Sequence, residues 1–372
     1  MGIKKGGRNL PIGLLLILII LLVPEVSKAA SDSNLSIQQV ESKLPDVTLF
    51  VRLDNVDRDS TKLIKKNLSI KINDTPTQIT DIQSVKNGTR VTENTAYLVL
   101  VDTSVSMQNQ NQVSELQNLL GKLLSYVGPN DKTAVFGVSS TLETIKDFME
   151  NDSLESVTNK IRNAISSNSG AGTYLSSWVR DAYDKGRMAK ALPTRRIIVI
   201  ITDGGVDGAG YSSEDIQNYV DVDRLPVYTL ILNEQSSIDK EFKATAEQIA
   251  QKTGGQSFFS SSGNELFTQF KASVENCSVI KLRCDAFNAF NLQAVINVAL
   301  QGDQGEITQV ARFTATPAPI DKAVGNSQQN LRTSYYGVAI ILIPILFTLV
   351  LSLALLWRLM KDKGGSEKTK FK

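Results

Sequence analysis

The sequence predicts an α/β fold: a doubly wound, mostly parallel sheet with helices on both faces, flanked by β-rich segments. Three observations predict it. Between residues 95 and 276, short apolar runs alternate with longer stretches of helical period. Those apolar runs suit strands covered on both faces, and alternation with helices implies parallel strands. The flanks, residues 45–93 and 278–315, carry alternating strand-like pieces and no good helical period.

The elements follow in order. YLVLVD (97–102) is the first expected strand of the α/β region. An amphipathic helix follows over Val113–Val127, with Val113, Leu116, Leu119, Leu120, Leu123 and Leu124 on one face. TAVFGVSS (133–140) is the next strand, and Leu154–Ile165 and Tyr174–Ala189 are the next helices. IIVIITD (197–203), VYTLILN (227–233) and QSFFSS (256–261) complete the strands. Helices are expected over Glu214–Val222, Lys240–Lys252 and Glu265–Val274. In the flanks, VTLFVRL (47–53), LSIKI (68–72), VIKLRC (279–284), LQAVINVAL (292–300) and ITQVARFTA (307–315) read as strands. Two arrangements stay open for them: one small β-sandwich shared by both flanks, with the α/β domain inserted, or two separate β elements.

The 372 residues leave room for two domains and extras. Net charge is +2 and no basic patch is interleaved with aromatics, so no nucleic-acid partner is expected. Lys4, Lys5 and Arg8 precede an apolar run over Leu10–Val23, and Ser27-Lys28-Ala29 supplies small residues two apart before Ala30. Residues 1–30 therefore read as a secretory signal peptide. Residues 336–357 have the length and apolarity of a membrane span, with Tyr335, Tyr336 and Trp357 at its edges. The basic tail, 358–372, then faces the cytoplasm. The expected organisation is a β-rich N-terminal flank (31–94), the α/β domain (95–276), a β-rich C-terminal flank (277–316), a stalk (317–335), the span and the tail. This organisation predicts a single-pass type I cell-membrane protein with its α/β domain outside the cell. The two cysteines, Cys277 and Cys284, would meet an oxidising compartment; they form a disulfide there or remain as two buried thiols.

The chain contains no histidine. That removes the Ser-His-Asp and Cys-His nucleophiles and the usual catalytic zinc ligands, and two cysteines, Cys277 and Cys284, are too few for a thiolate zinc site. Any resident metal must be held by oxygen, which points to a hard cation. In an open α/β sheet, ligands bind beyond the carboxyl ends of the strands. There the sequence places Asp102, Ser104 and Ser106 in VDTSVSM, Thr173 in the glycine-rich SGAGTYL, and Asp203 in VIITDGG. Two carboxylates and three hydroxyls give five oxygens, leaving one position of a six-coordinate ion for water or an external ligand.

Asp102-x-Ser104-x-Ser106, Thr173 in its glycine-rich loop and Asp203 in TDG resemble the metal ion-dependent adhesion site of the von Willebrand factor A domain family, a Rossmann-like fold, over roughly residues 95–276. The β-rich flanks resemble, more weakly, those of bacterial surface proteins with this domain. They are similar also to integrin β subunits, where the A-like domain is inserted in a β-sandwich. The resemblance implies that Asp102, Ser104, Ser106, Thr173 and Asp203 hold Mg²⁺, or Mn²⁺ or Ca²⁺, and that an Asp or Glu carboxylate of a partner protein completes the coordination. It further implies that binding is coupled to movement of the 265–274 helix. The expected function is divalent-cation-dependent protein binding or adhesion at the cell membrane, without enzymatic activity. The alternative is a structural subunit of a membrane complex with the ion as a stabilising element. A metal-assisted hydrolase is disfavoured by the missing histidine; Asp207 is a base candidate by sequence proximity alone.

Overall fold

The structure is a computed structural model describing residues 34–54, 65–83, 93–167, 174–188, 191–205, 213–284, 293–302 and 305–316. The expected signal peptide, stalk, membrane span and tail lie outside the described residues, as do Thr173 and Asp207. Among the described residues no helix is long and apolar enough to cross a membrane.

The N-terminal flank supplies β1 (Asn34–Lys43), β2 (Asp46–Asp54), β3 (Leu68–Ile72), β4 (Thr75–Pro76) and β5 (Gln78–Gln83). The α/β region follows with β6 (Thr95–Asp102), α1 (Gln110–Tyr126), β7 (Lys132–Val138), β8 (Leu142–Lys146), α2 (Leu154–Ser167) and α3 (Leu175–Met188). It continues through β9 (Arg195–Thr202), α4 (Ser213–Val220), β10 (Val227–Ile231), α5 (Lys240–Thr253), β11 (Gln256–Phe259) and α6 (Gly263–Glu275). The C-terminal flank gives β12 (Cys277–Arg283), β13 (Gln293–Gly302) and β14 (Gly305–Thr314).

The central sheet has the order β11-β10-β9-β6-β7-β8. Its neighbours are parallel except β7 and β8, which are antiparallel. β6 is buried along its whole length because helices cover both sides. Its side chains alternate between faces, as the pleat requires. Tyr97, Val99 and Val101 join Leu116, Leu120, Val157 and Phe270 in one core. Leu98 and Leu100 join Trp178, Ile216, Phe242 and Ile249 in the other. Each such fully buried aliphatic side chain contributes about 1.5–3 kcal/mol of hydrophobic stabilisation. The expected doubly wound domain is what forms.

Two antiparallel sheets stand beside it, ordered β1-β2-β12-β5 and β14-β13-β3-β4. Each contains strands from both flanks. β12 lies between β2 and β5, and β13 between β14 and β3. A single core containing Leu35, Leu49, Ile70, Ile280, Ile296 and Phe313 joins the two sheets into a sandwich. The flanks therefore complete each other, and the α/β region is inserted between them.

The expected disulfide is corrected. Cys277 and Cys284 are both buried and are not bridged. Cys277 opens β12 and Cys284 follows its last residue, so the strand itself separates them. At ~3.3 Å per residue, the seven steps between them span roughly 20 Å, against the ~7 Å Cα separation a disulfide allows. Cys277 packs with Phe50 and Val279, whereas Cys284 lies in the sandwich core. Burial raises the Cys277 thiol above its ordinary pKa, the opposite of what activates a thiolate.

One glycine costs the fold something that alanine would recover. Gly121 lies in the interior of α1, and a Cβ there would meet only Leu154 Cδ2, at 3.6 Å. Alanine restricts the unfolded chain and suits a helix interior. We expect Gly121→Ala to raise stability by ~0.5–1 kcal/mol, read as a higher urea midpoint with unchanged slope. A lowered midpoint would show that Leu154 cannot accept the contact.

Candidate metal centre at the strand ends

The sheet order reverses at β6 and β9, which are parallel neighbours with Val101 opposite Ile201. Such a switch opens a crevice at the carboxyl ends of the two strands. Asp102 is the last residue of β6, and Asp203 is the first beyond β9. The sheet therefore brings together two carboxylates from positions 101 residues apart in sequence.

Asp102 is fully buried. Its Oδ1 accepts a hydrogen bond from the Ser104 backbone N–H at 2.8 Å, which bends the chain back as an Asx turn. Its Oδ2 accepts from the Thr202 hydroxyl at 2.6 Å. Thr103 fixes the turn to β7, its backbone N–H and its hydroxyl both donating to the Val138 carbonyl, at 2.8 and 3.1 Å. A short 3₁₀ segment, Val105–Gln108, then anchors through buried Met107. The turn brings the Ser104 and Ser106 hydroxyl oxygens to 2.9 Å from each other. Ser104 is buried and Ser106 is exposed, so the pair runs from the interior to the surface.

Asp203 is 5% exposed and is held by its own loop. Gly205 N–H donates to Asp203 Oδ1 at 3.1 Å, and the Asn233 side-chain amide donates to the Asp203 carbonyl at 3.3 Å. Gly204 N–H donates to the Thr202 hydroxyl oxygen at 3.2 Å. Gly204 has φ +77°, a left-handed conformation that glycine adopts without a Cβ clash.

Burial pushes the Asp102 carboxyl up to about 6, and the neighbouring Asp203 charge adds to the rise. The hydrogen bonds from Thr202 and Ser104 oppose it. Burial of one carboxylate beside another is a cost that positive charge would relieve.

The donors at hand are carboxylate and hydroxyl oxygens, which match a hard divalent cation and not the thiolate and imidazole set of structural zinc. Among the described residues, no three or more His, Cys, Asp or Glu residues are grouped so that they could hold a metal ion by themselves. Any metal held here would therefore depend on Asp102 and Asp203 together with hydroxyls. The structure groups Asp102, Ser104 and Ser106 in one turn, with Asp203 on the adjacent strand end. Sequence reasoning missed two supports, the Thr202 hydroxyl and the Asn233 amide. The threonine of TDG was a readable signal, since the last residue of β9 faces the last residue of β6. Asn233 gave none, because only the β9–β10 pairing brings it near.

Fold and site together define an α/β domain with an oxygen-lined crevice at its topological switch. Residues 97–206 match the family model described as von Willebrand factor type A domain, and the α/β region has that fold. No curated protein matches the chain. Among solved structures, the chain is similar to a von Willebrand factor type A protein from Catenulispora acidiphila, at 8% identity and TM-score 0.41, covering 78% of this chain and 74% of that one. It is similar also to the ArnB paralog VWA2 from Sulfolobus acidocaldarius, at 14% identity and TM-score 0.39, covering 77% and 76%. A third is proximal thread matrix protein 1 from the mussel byssus with a zinc-occupied MIDAS motif, at 18% identity and TM-score 0.37, covering 50% and 48%.

Proposed function

We propose that this chain is a membrane-anchored binding protein of bacterial type. On this reading its von Willebrand factor A domain, exposed outside the cell, holds a divalent cation and through it captures an acidic residue of a partner protein. The observation that carries this reading is the pair of strand-end carboxylates, Asp102 and Asp203, joined by hydroxyls and rigidly braced. When bound, a hard cation such as Mg²⁺ supplies positive charge and an open coordination position. Asp102 and Asp203 offset that charge. Ser104, Ser106 and Thr173 complete the oxygen set without adding negative charge that would repel the partner's carboxylate. Thr202 and Ser104 N–H orient Asp102 beforehand, which lowers the cost of ordering the site. The signal-like N-terminus and the apolar 336–357 segment support the anchored topology.

The test uses the detergent-solubilised, chelator-stripped full chain. Mg²⁺ titrated by calorimetry should show saturable one-site binding. Immobilised Asp- and Glu-containing peptides should then retain the chain with Mg²⁺ and release it in chelator, with retention lost in Asp203→Ala. If Mg²⁺ saturates and raises the melting temperature but acidic peptides never retain the chain, the ion is a stabilising element and the capture reading fails. An absence of saturable metal binding would defeat both.

A further inference from the structure

A second cavity lies at the opposite pole of the sheet, where the α/β domain meets the sandwich. Its volume is about 230 Å³, below the ~300–1,000 Å³ of clefts that take drug-sized ligands. β9 begins at this pole and ends at the Asp203 site, so the two are separated by roughly 20 Å of strand. Three arginines line it: Arg187 at the end of α3, Arg196 at the start of β9, and Arg224 before β10.

Each guanidinium is fixed by groups behind it. Arg187 Nη2 donates to the Tyr219 carbonyl at 3.2 Å and to the Val222 carbonyl, and its guanidinium lies 4.7 Å from the centre of the Tyr183 ring. Arg196 donates from Nη1 to the Gly186 carbonyl at 2.6 Å and from Nε to the Pro193 carbonyl at 3.4 Å. Arg224 Nη2 donates to Asp221 at 3.0 Å. Two donors are left over. The Nε atoms of Arg187 and Arg224 are buried and have no hydrogen-bond partner among the described residues. Neither Arg187 nor Arg196 forms an ion pair with a carboxylate among the described residues. Buried charged donors without acceptors are costly, and negative charge in the adjoining cavity would offset the guanidinium charge that carries them.

The two carboxylates on the wall accept hydrogen bonds from other residues of the lining. Asp223 accepts from the Thr314 backbone N–H at 2.6 Å and from its hydroxyl at 2.7 Å. Glu41 accepts from Gln39 at 3.2 Å. Burial raises the Glu41 carboxyl and the Arg196 charge opposes the rise, so Glu41 offsets part of that guanidinium's charge. The lining counts three guanidinium groups against two carboxylates.

We propose that this cavity binds a small phosphate-class oxyanion, with Arg187, Arg196 and Arg224 as its donors. Arginine forks present directed N–H groups that suit such oxygens, and these are already held in place. The walls come from β1 and the residues around the end of β14 on one side, and from α3, β9 and the loop before β10 on the other. All three donors stand on the inserted domain, and the sandwich closes the cavity over them. This site is independent of the metal centre and needs no cation.

The test is a titration of inorganic phosphate into the detergent-solubilised full chain in chelator, with ionic strength held constant by chloride. Phosphorus NMR linewidth and the melting temperature are the readouts. Saturable broadening, reversed by sulfate and accompanied by a rising melting temperature, is expected. Arg224→Gln should weaken binding about tenfold or more. Arg312→Gln, which removes the other partner of Asp221 from outside the cavity lining, should leave it unchanged. Sulfate competition on the parent chain decides the matter even if Arg224→Gln does not fold. Broadening that never saturates, or that chloride reproduces, would mean water alone satisfies these donors and would overturn the proposal. So would equal weakening in Arg312→Gln.

Discussion

Asp102→Asn is expected to abolish saturable Mg²⁺ binding and yet leave the metal-free chain at least as heat-resistant as the parent. The two effects share one cause. Asp102 is fully buried and close enough to Asp203 to feel its charge. Burial raises its carboxyl from 3.8 to about 6. The folded state then binds the proton more tightly than the unfolded state, so stability is lost as pH rises from about 4 through 6. Above that window the ionised carboxylate costs about 1–3 kcal/mol in metal-free protein. Asparagine removes the charge while keeping an oxygen that can accept from Thr202 or from Ser104 N–H. Metal affinity should fall by more than the ~10–100-fold that loss of an outer partner costs. Calorimetry with Mg²⁺ and melting in chelator at pH 8 and pH 4 measure both effects, with the gain present at pH 8 and absent at pH 4. Retained Mg²⁺ binding would remove Asp102 from the site. A metal-free variant melting far below the parent would mean that the turn needs the charge.

The candidate site was legible where chemistry and strand ends coincide. An aspartate closing an apolar strand, followed by serines at every second position, has few structural uses that also bury it. The same holds for Asp203, placed beside Asp102 by the parallel pairing of β6 and β9. The supports were less visible. Thr202 acts across the ladder and Asn233 across the sheet, and neither relation has a local pattern. The three arginines of the second cavity come from three elements that only the fold brings together, so no sequence window contains them.

The fold was legible in its buried strands and amphipathic helices, and less so at its edges and in the polar seam. β8 escaped notice because it is an edge strand with one buried residue, Ile145, in LETIK. β1 escaped for a different reason. Its Gln38 and Gln39 are buried, and a bulge between Ile37 and Gln39 breaks the alternation. These amides face the inserted domain: Gln38 donates to the Tyr228 hydroxyl at 2.8 Å and Gln39 to the Thr194 carbonyl at 2.6 Å. A strand whose buried face is polar reads as a loop until its partner is known. The cysteines misled for a similar reason, since proximity in sequence becomes distance once the intervening residues are extended.

Gly255→Ala is expected to cost more than ~3 kcal/mol and to lower the melting of both domains together. Gly254 ends α5 with φ +79° and Gly255 leads into β11. A Cβ on Gly255 would stand 1.9 Å from the Val227 carbonyl oxygen, 2.5 Å from its carbon and 2.9 Å from its nitrogen. These are backbone atoms of β10, which is paired on both sides by β9 and β11 and cannot yield as a side chain would. The sandwich is seated on the same pair of glycines. Arg52 Nη1 donates to the Gly254 carbonyl at 3.3 Å and the Gly255 carbonyl at 3.1 Å, and Gln38 donates to Gly254 at 3.2 Å. Displacing the glycine turn therefore removes buried hydrogen bonds between domains as well as straining the strand, and a buried guanidinium that loses its acceptors costs more than a neutral donor. The same substitution at Gly121, where the added methyl meets one side chain at 3.6 Å, should move stability the other way. Circular dichroism melts of the two variants beside the parent test the contrast. A Gly255→Ala chain melting within a degree or two of the parent would mean that β10 can shift, and that the joint between the domains is softer than its hydrogen bonds imply.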